Sequence, residues 1–314
     1  MAFNAPGLHW RKGMSLMEAV NYFSNEEEVE RLFVDARWPT DIACPECGDL
    51  SVQVRPTRKP QPFRCRGCRF DFSVKTYTVM HGSRIPLSKW GLAAFLLSTN
   101  LKGVSSMKLG RDLGVTQKTA WYLGHRIRLA WEIYHLEPLN GSMGVEVDET
   151  YIGGLERNKH AYKRLNAGRG AVGKTPVIGA KDRDTNKVRM EVLNHVDAQH
   201  VDPFIADHIS YGTKVYTDEA AAYRNVEDRE VVRHSAKEYV SGNASTNSIE
   251  SEWSLFKRGI IGTYHHMSDK HLHRYVAEFE GRRNARPYDT LEQIKMLVRG
   301  MDKKRLKYND LIAD

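Results

Sequence analysis

Cysteine is scarce in this chain. Its 314 residues carry four, too few for the disulfide framework of a small secreted protein. Long apolar runs are missing as well: the longest, Leu92 to Leu97, is far too short to span a bilayer. The opening MAFNAPGLHWRKG has no apolar stretch behind its charges, so neither a membrane span nor an export leader is expected, and a cytoplasmic location is. Acidic residues are in the minority, 39 Asp and Glu against 47 Lys and Arg, a formal net charge of +8. Clustered cations gain affinity by displacing counterions from a nucleic-acid backbone, so an anionic partner is expected. With 41% hydrophobic residues the chain can bury at least one sizeable core, and its length predicts two or three modules.

The four cysteines are not scattered. Cys44, Cys47, Cys65 and Cys68 form two C-x2-C pairs separated by 17 residues. Each pair can aim two thiolates at one ion, Gly48 and Gly67 suit tight turns, and four thiolates complete a closed tetrahedral site for structural Zn2+. An iron site or two disulfides rank below zinc at this paired spacing. Between and after the pairs, Val52 and Val54 alternate and Phe63, Phe70 and Phe72 supply strand-forming aromatics. A small β zinc ribbon is the expected result.

After Pro86 the pattern turns helical. In SSMKLGRDLGVTQKTAWYLGHRIRLAWEIY, Leu109 and Leu113 close one short helix, Gly114 offers a turn, and Thr116 can cap the next. Ala120, Leu123 and Ile127 line the buried side of that second helix. This is a helix-turn-helix-like pattern, and a helical hairpin used only for packing has the same periodicity. If the motif binds DNA, Gln117 and Lys118 face base edges, while Lys102, Lys108, Arg126 and Arg128 meet phosphates.

From Gly141 the character changes to short β-rich runs between turns. A strand in VEVDETYIGG, a hairpin around Arg183 to Asn186, a helix over Asp197 to Ser210, a strand over Val215 to Asp218 and a final helix follow in order. That order is expected of an RNase H-like α/β domain, in which aspartates at strand ends and one acid on a helix converge. The candidates are Asp148 and Asp218, each placed at a strand end, and Glu250. Hard Mg2+ or Mn2+ ions take oxygen ligands, and a pair of them suits phosphodiester chemistry. Glu146 and Glu149, beside Asp148, are alternative acids.

The final helix carries its own signature. In NSIESEWSLFKRG, Ile249, Trp253, Phe256 and Ile260 repeat as a buried stripe, while Glu250 and Lys257, two turns apart, share another face with Ser254 between them. His265, His266, His271 and His273 follow closely, and packing or DNA contact accounts for them without a second zinc. LERNKHAYKRLNAGRGAVGK, Leu155 to Lys174, is rich in Lys, Arg and Gly, the composition of a basic loop that either clamps DNA or is simply solvated.

Taken together, the Cys pairs with FRCRGCRFDFSVKTYTVMHGSRIPLSKW, and VEVDETYIGG, VYTDEAAAY and the stretch from Asn247 to Arg286, resemble the ISXO-like insertion-sequence transposases of bacteria, which join a zinc ribbon to a DDE catalytic domain. The resemblance implies that Asp148, Asp218 and Glu250 bind the catalytic metals and that Lys257 contacts terminal DNA. Asparagine can stand as the third ligand in such enzymes, so Asn247, one turn before Glu250, is an alternative; the spacing to Lys257 favours Glu250. His234 also matches the family pattern, although a histidine at a strand end is more often a structural hydrogen-bonding group. The implied order is an N-terminal helical segment over 1–35, the ribbon over 36–85, the helix-turn-helix-like region over 86–140, the catalytic domain over 141–298 and a tail over 299–314. The implied activity is metal-dependent cleavage and strand transfer at terminal inverted repeats by a homo-oligomer, at least a dimer on DNA, associated with the nucleoid. A regulator with a dead catalytic domain and an RNase H-like nuclease are the rival functions.

Overall fold

Local capping chemistry starts most of the helices. A computed structural model describes residues 13–134, 137–154, 160–165, 171–232 and 246–313. In α1 (Leu16–Ser24) the Ser15 hydroxyl accepts from the Glu18 amide and the Glu18 carboxylate accepts from the Ser15 amide, a reciprocal box that satisfies two helix-end donors. Asn25 caps α2 (Glu26–Arg37) by accepting from the amides of Glu27 and Glu28.

Next come three short antiparallel strands, β1 (Val52–Val54), β2 (Phe63–Cys65) and β3 (Asp71–Phe72), ordered as in sequence. Their core is Cys44, Phe63, Cys65 and Phe72, with Trp38 edge-on to both phenylalanines at ring distances of 5.8 and 6.0 Å. Three helices follow. α3 (Leu87–Thr99) is buried along most of its length; α4 (Ser106–Leu113) ends on Gly114 in the left-handed region, φ 59°; and Thr116 caps α5 (Gln117–Ala130). Gly110 lets the turn close, since a Cβ there would stand 3.1 Å from the Val115 carbonyl oxygen. Leu109, Leu113, Ala120, Leu123 and Ile127 are all buried, at the positions their periodicity predicts.

A five-stranded sheet organises the second unit, residues 134–284. It contains β4 (Val145–Ile152), β5 (Thr175–Asp182) and β6 (Val188–Val192), then, after α6 (Ala198–His208), β7 (Val215–Thr217) and β8 (Arg229–Val231). The spatial order is β6-β5-β4-β7-β8, the first three antiparallel and β4, β7 and β8 parallel. Strand alternation gives the sheet two apolar faces. Val145, Val147, Ile178 and Ala180 pack with Val201 and Phe204 of α6. Val177, Val188 and Met190 pack with Ile249, Trp253 and Phe256 of α7 (Asn247–Gly259) and with Val276 and Phe279 of α8 (Asp269–Ala285).

Charge fastens α7 to the sheet. Lys181 of β5 meets Glu252 at 2.8 Å and donates to the Ser248 carbonyl, and Arg283 of α8 meets the same Glu252 at 3.0 Å. α7 then runs on as a short π-helix, Ile260–Tyr264.

α9 (Thr290–Gly300) and α10 (Tyr308–Ile312) close the chain, and residues from 285 onward belong to the compact unit that contains residues up to 133. The boundary therefore falls earlier than the position 298 suggested by sequence. The reason is tertiary: α9 packs on α2, α3 and α5 and buries Ile294, Leu297 and Val298 there. No helix among the described residues is long and apolar enough to cross a membrane.

Candidate functional site

Asp148 lies in the middle of β4, opposite Gly179 of β5, and does not end its strand as the neighbouring charges and glycines suggest. Pairing with β5 carries β4 on to Ile152. What stops near Asp148 is the other ladder, since the parallel register between β4 and β7 runs only through Val145↔Val215 and Glu146↔Tyr216. Asp218 directly follows β7, two positions past that register, as Asp148 does on β4. The two aspartates thus flank the place where the sheet opens.

Three further carboxylates surround this opening, and they have different roles. Glu146 is buried and accepts from the amides of Ser248 and Ile249 at 2.9 and 3.0 Å and from Arg183 Nε at 2.9 Å. It neutralises the positive end of α7, a structural task. Glu149 accepts from the Tyr223 hydroxyl at 2.5 Å. Glu250 is exposed on α7 and accepts from the Thr246 hydroxyl at 3.1 Å.

Asp148 Oδ2 accepts from Trp253 Nε1 at 3.0 Å. Burial pushes its carboxyl up to about 7, and Glu149, Asp218 and Glu250 push the same way. Glu149 is also raised, by burial first and then by Asp218. Acids from β4, from the end of β7 and from α7 thus act on one another, and the charges that bear on Asp148 are all negative. An all-oxygen, partly buried, anionic donor set fits a hard divalent cation. The carboxylate oxygens are spread wider than a closed cage, because the four cysteines are, among the described residues, the one group of three or more ligand side chains whose donor atoms lie within 4.8 Å of one another.

Trp253 reads in the sequence only as part of a buried stripe, and its indole N–H as a donor to Asp148 is a role that periodicity cannot reveal. Gly179 makes room for it: a Cβ there would stand 2.6 Å from Trp253 Cη2. Gly179→Ala should lower stability by about 1–3 kcal/mol through overpacking. An unchanged melting temperature would show that the ring slides aside freely.

The other expected site residues divide by exposure. Asn247, Glu250, Ser254 and Lys257 are exposed while Ile249, Trp253 and Phe256 are buried, so acid and lysine share the open face of α7. Gln117 is exposed and donates to the Ser106 hydroxyl at 2.9 Å, and the Lys118 ammonium sits 4.6 Å from the Tyr308 ring centre. Arg126 is different. Expected at DNA phosphates, it is 6% exposed, donates to the His81 carbonyl and lies over the rings of Trp90 and Tyr122. Arg128 is likewise buried. Both cations belong to the packing of α5. His234, and residues 155–159 and 166–170 of the basic stretch, lie outside the described residues.

The four cysteines converge as their spacing requires. Cys44 and Cys68 sulfurs are 3.6 Å apart, as are those of Cys47 and Cys65, and no disulfide joins them. A tetrahedral ion with metal–sulfur bonds of about 2.3 Å has sulfur–sulfur edges of about 3.8 Å, so the cluster fits Zn2+ closely. The two knuckles turn alike: Gly48 follows the first pair at φ 80° and Arg69 follows the second at φ 62°.

Comparison with known families gives two matches. A model of the ISXO2-like transposase domain matches residues 138–284, and one of the transposase zinc-ribbon domain matches residues 24–70. Over these two ranges the chain is similar to the ISXO2-like transposases. It is also 28% identical over 301 residues to an uncharacterized protein in the transposable element ISH50 of Halobacterium salinarum, across 90% of this chain and 99% of that relative. The transposase-domain match coincides with the unit built on the five-stranded sheet, and the ribbon match takes in α2 and both cysteine pairs. The helix-turn-helix-like segment falls between the two matched ranges.

Proposed function

We propose that the protein is the active DDE transposase of its insertion sequence, binding terminal inverted repeats and carrying out metal-dependent cleavage and strand transfer on an RNase H-like fold. The observation that carries this reading is the convergence at Asp148: acids from two neighbouring strands and a facing helix act on one half-buried carboxyl. The antiparallel and parallel halves of the sheet meet at β4, which is where that fold places its acids. Asp148, Asp218 and Glu250 would hold Mg2+ or Mn2+, and Zn2+ would occupy the ribbon.

Cations bound there would activate the attacking oxygen and stabilise the leaving one. The rest of the task falls to the side chains. Trp253 holds Asp148 in place, Tyr223 holds Glu149, and Lys257, two turns from Glu250 on the same open face, meets a phosphate of the terminal DNA. Gln117 and Lys118, at the start of α5, would reach base edges. Two ends must be joined, so the working assembly on DNA would be at least a dimer.

The test is a joining assay. Wild type and Asp148→Asn are incubated with labelled DNA bearing the element's ends, a target plasmid, and Mg2+ or Mn2+. Joined products from wild type alone are expected. Metal-dependent cutting without joining would make the protein a nuclease, and binding without cutting would make it a regulator.

A further inference from the structure

The residues on either side of the ribbon's first knuckle form a cleft of about 680 Å³ within the N-terminal unit, lined by the knuckle itself, by Tyr77 and His81, and by the segment Asp302 to Arg305. The C-terminal segment is held there firmly. Thr78 bridges to Asp302, the Val79 amide donates to the Met301 carbonyl at 3.0 Å, and Arg37, with its side chain 3% exposed, meets Asp302 at 2.7 Å and donates to the Val74 carbonyl. Lys304 donates to the Leu129 carbonyl at 2.9 Å. A basic tail that only needed solvation would require no such anchoring.

Two walls of the cleft carry complementary chemistry. On one, the rings of Tyr77 and His81 lie near-parallel at 5.7 Å, with Tyr77 39% exposed and stacked in turn at 5.9 Å on Phe70, which does not line the cleft. On the other, Lys303 and Arg305 are exposed, and neither has a carboxylate partner among the described residues. The acids on the walls are already engaged, Asp302 by Arg37 and Glu46 by the Tyr77 hydroxyl at 2.7 Å. Tyr77 and Lys303 both hold left-handed backbone, φ 57° and 54°, which such side chains adopt only where the surroundings enforce it.

We propose that this cleft is a second DNA-binding site, in which Lys303 and Arg305 bind backbone phosphates and the Tyr77–His81 ladder supports the adjoining sugar or base. The chemistry favours a nucleic acid over an acidic peptide, because aromatic faces beside unpaired cations suit a polymer that alternates rings with phosphates. The site gives the ribbon and the chain's last segment a shared task distinct from that of Gln117 and Lys118. It rests on the reading above that the protein handles DNA.

The test is equilibrium binding of the full-length, zinc-loaded protein to labelled DNA carrying the element's ends, across a salt series. Lys303→Asn with Arg305→Gln keeps a residue tolerant of left-handed backbone at 303 and removes both charges. Affinity at about 0.1 M salt should fall by roughly ten- to hundredfold, and the slope of log affinity against log salt should drop by about 2. Lys303→Arg with Arg305→Lys should restore both, and zinc content should be the same in all three proteins. Unchanged affinity and slope in the charge-removed protein, with wild type binding well, would overturn the site while leaving the transposase reading intact. Wild type that binds no DNA at all would overturn both.

Discussion

Asp148→Asn should make the metal-free protein more stable at neutral and alkaline pH while removing strand joining. The carboxyl has a folded-state value of about 7, against about 3.9 in an unfolded chain. Between those values the folded protein holds a proton that the unfolded chain has lost, so stability falls as pH rises through this window and stays lowered above it. The full gap of about 3 pKa units corresponds to at most about 4 kcal/mol. Asparagine removes the charge and retains an oxygen that can accept from Trp253. The melting temperature of the variant should therefore exceed that of wild type by several degrees at pH 8, and the difference should disappear near pH 4. Divalent cations should then raise the melting temperature of wild type far more than that of the variant, because a ligand that binds only the folded state stabilises it in proportion to its affinity. A variant less stable than wild type at pH 8 would show that Asp148 is not held against a burial and repulsion cost.

The same residue shows where sequence stops being informative. Helical periodicity is local, so the buried stripe of Ile249, Trp253 and Phe256 and the open face of Glu250 and Lys257 could be read directly. Cysteine spacing is equally local, because one ion constrains all four side chains. Asp148 reads as a strand end because charged residues flank it and Gly-Gly follows, yet those charges are absorbed by distant groups: Glu146 caps α7 through amides 102 and 103 residues away, and Glu149 takes a hydroxyl 74 residues away. Arg126 misleads for the same reason. It stands at the edge of the α5 stripe, where a solvated cation is ordinary, and only the arrival of His81 and Trp90 from another part of the chain buries it. α9 has a clear apolar face, but nothing in that face names the helices it will cover. Residues whose role is set by a neighbour close in sequence were legible; those set by a neighbour folded back from far away were not.

Removing the ribbon's metal should produce the largest local effect of all. The ribbon's strands are three, three and two residues long, and its core contains four buried residues, two of which are the ligands Cys44 and Cys65. Three strands of that size bury too little apolar surface to offset the entropy of ordering them. Metal coordination supplies the difference, with apparent binding free energies of about 10–16 kcal/mol for structural zinc in small domains. Chelator treatment, or Cys65→Ser, should abolish amide protection across Phe63 to Phe72 and release Trp38 from its edge contacts with Phe63 and Phe72, shifting its fluorescence toward that of a solvated indole. Protection in the five-stranded sheet should persist, since Val147, Ile178 and Ala180 belong to a separate core that contains no cysteine. Adding back Zn2+ should restore the ribbon amides in the wild type and not in the variant. Protection that survives complete stripping would mean that the apolar contacts of Trp38, Phe63 and Phe72 hold the ribbon unaided, and that the thiolates serve some other purpose.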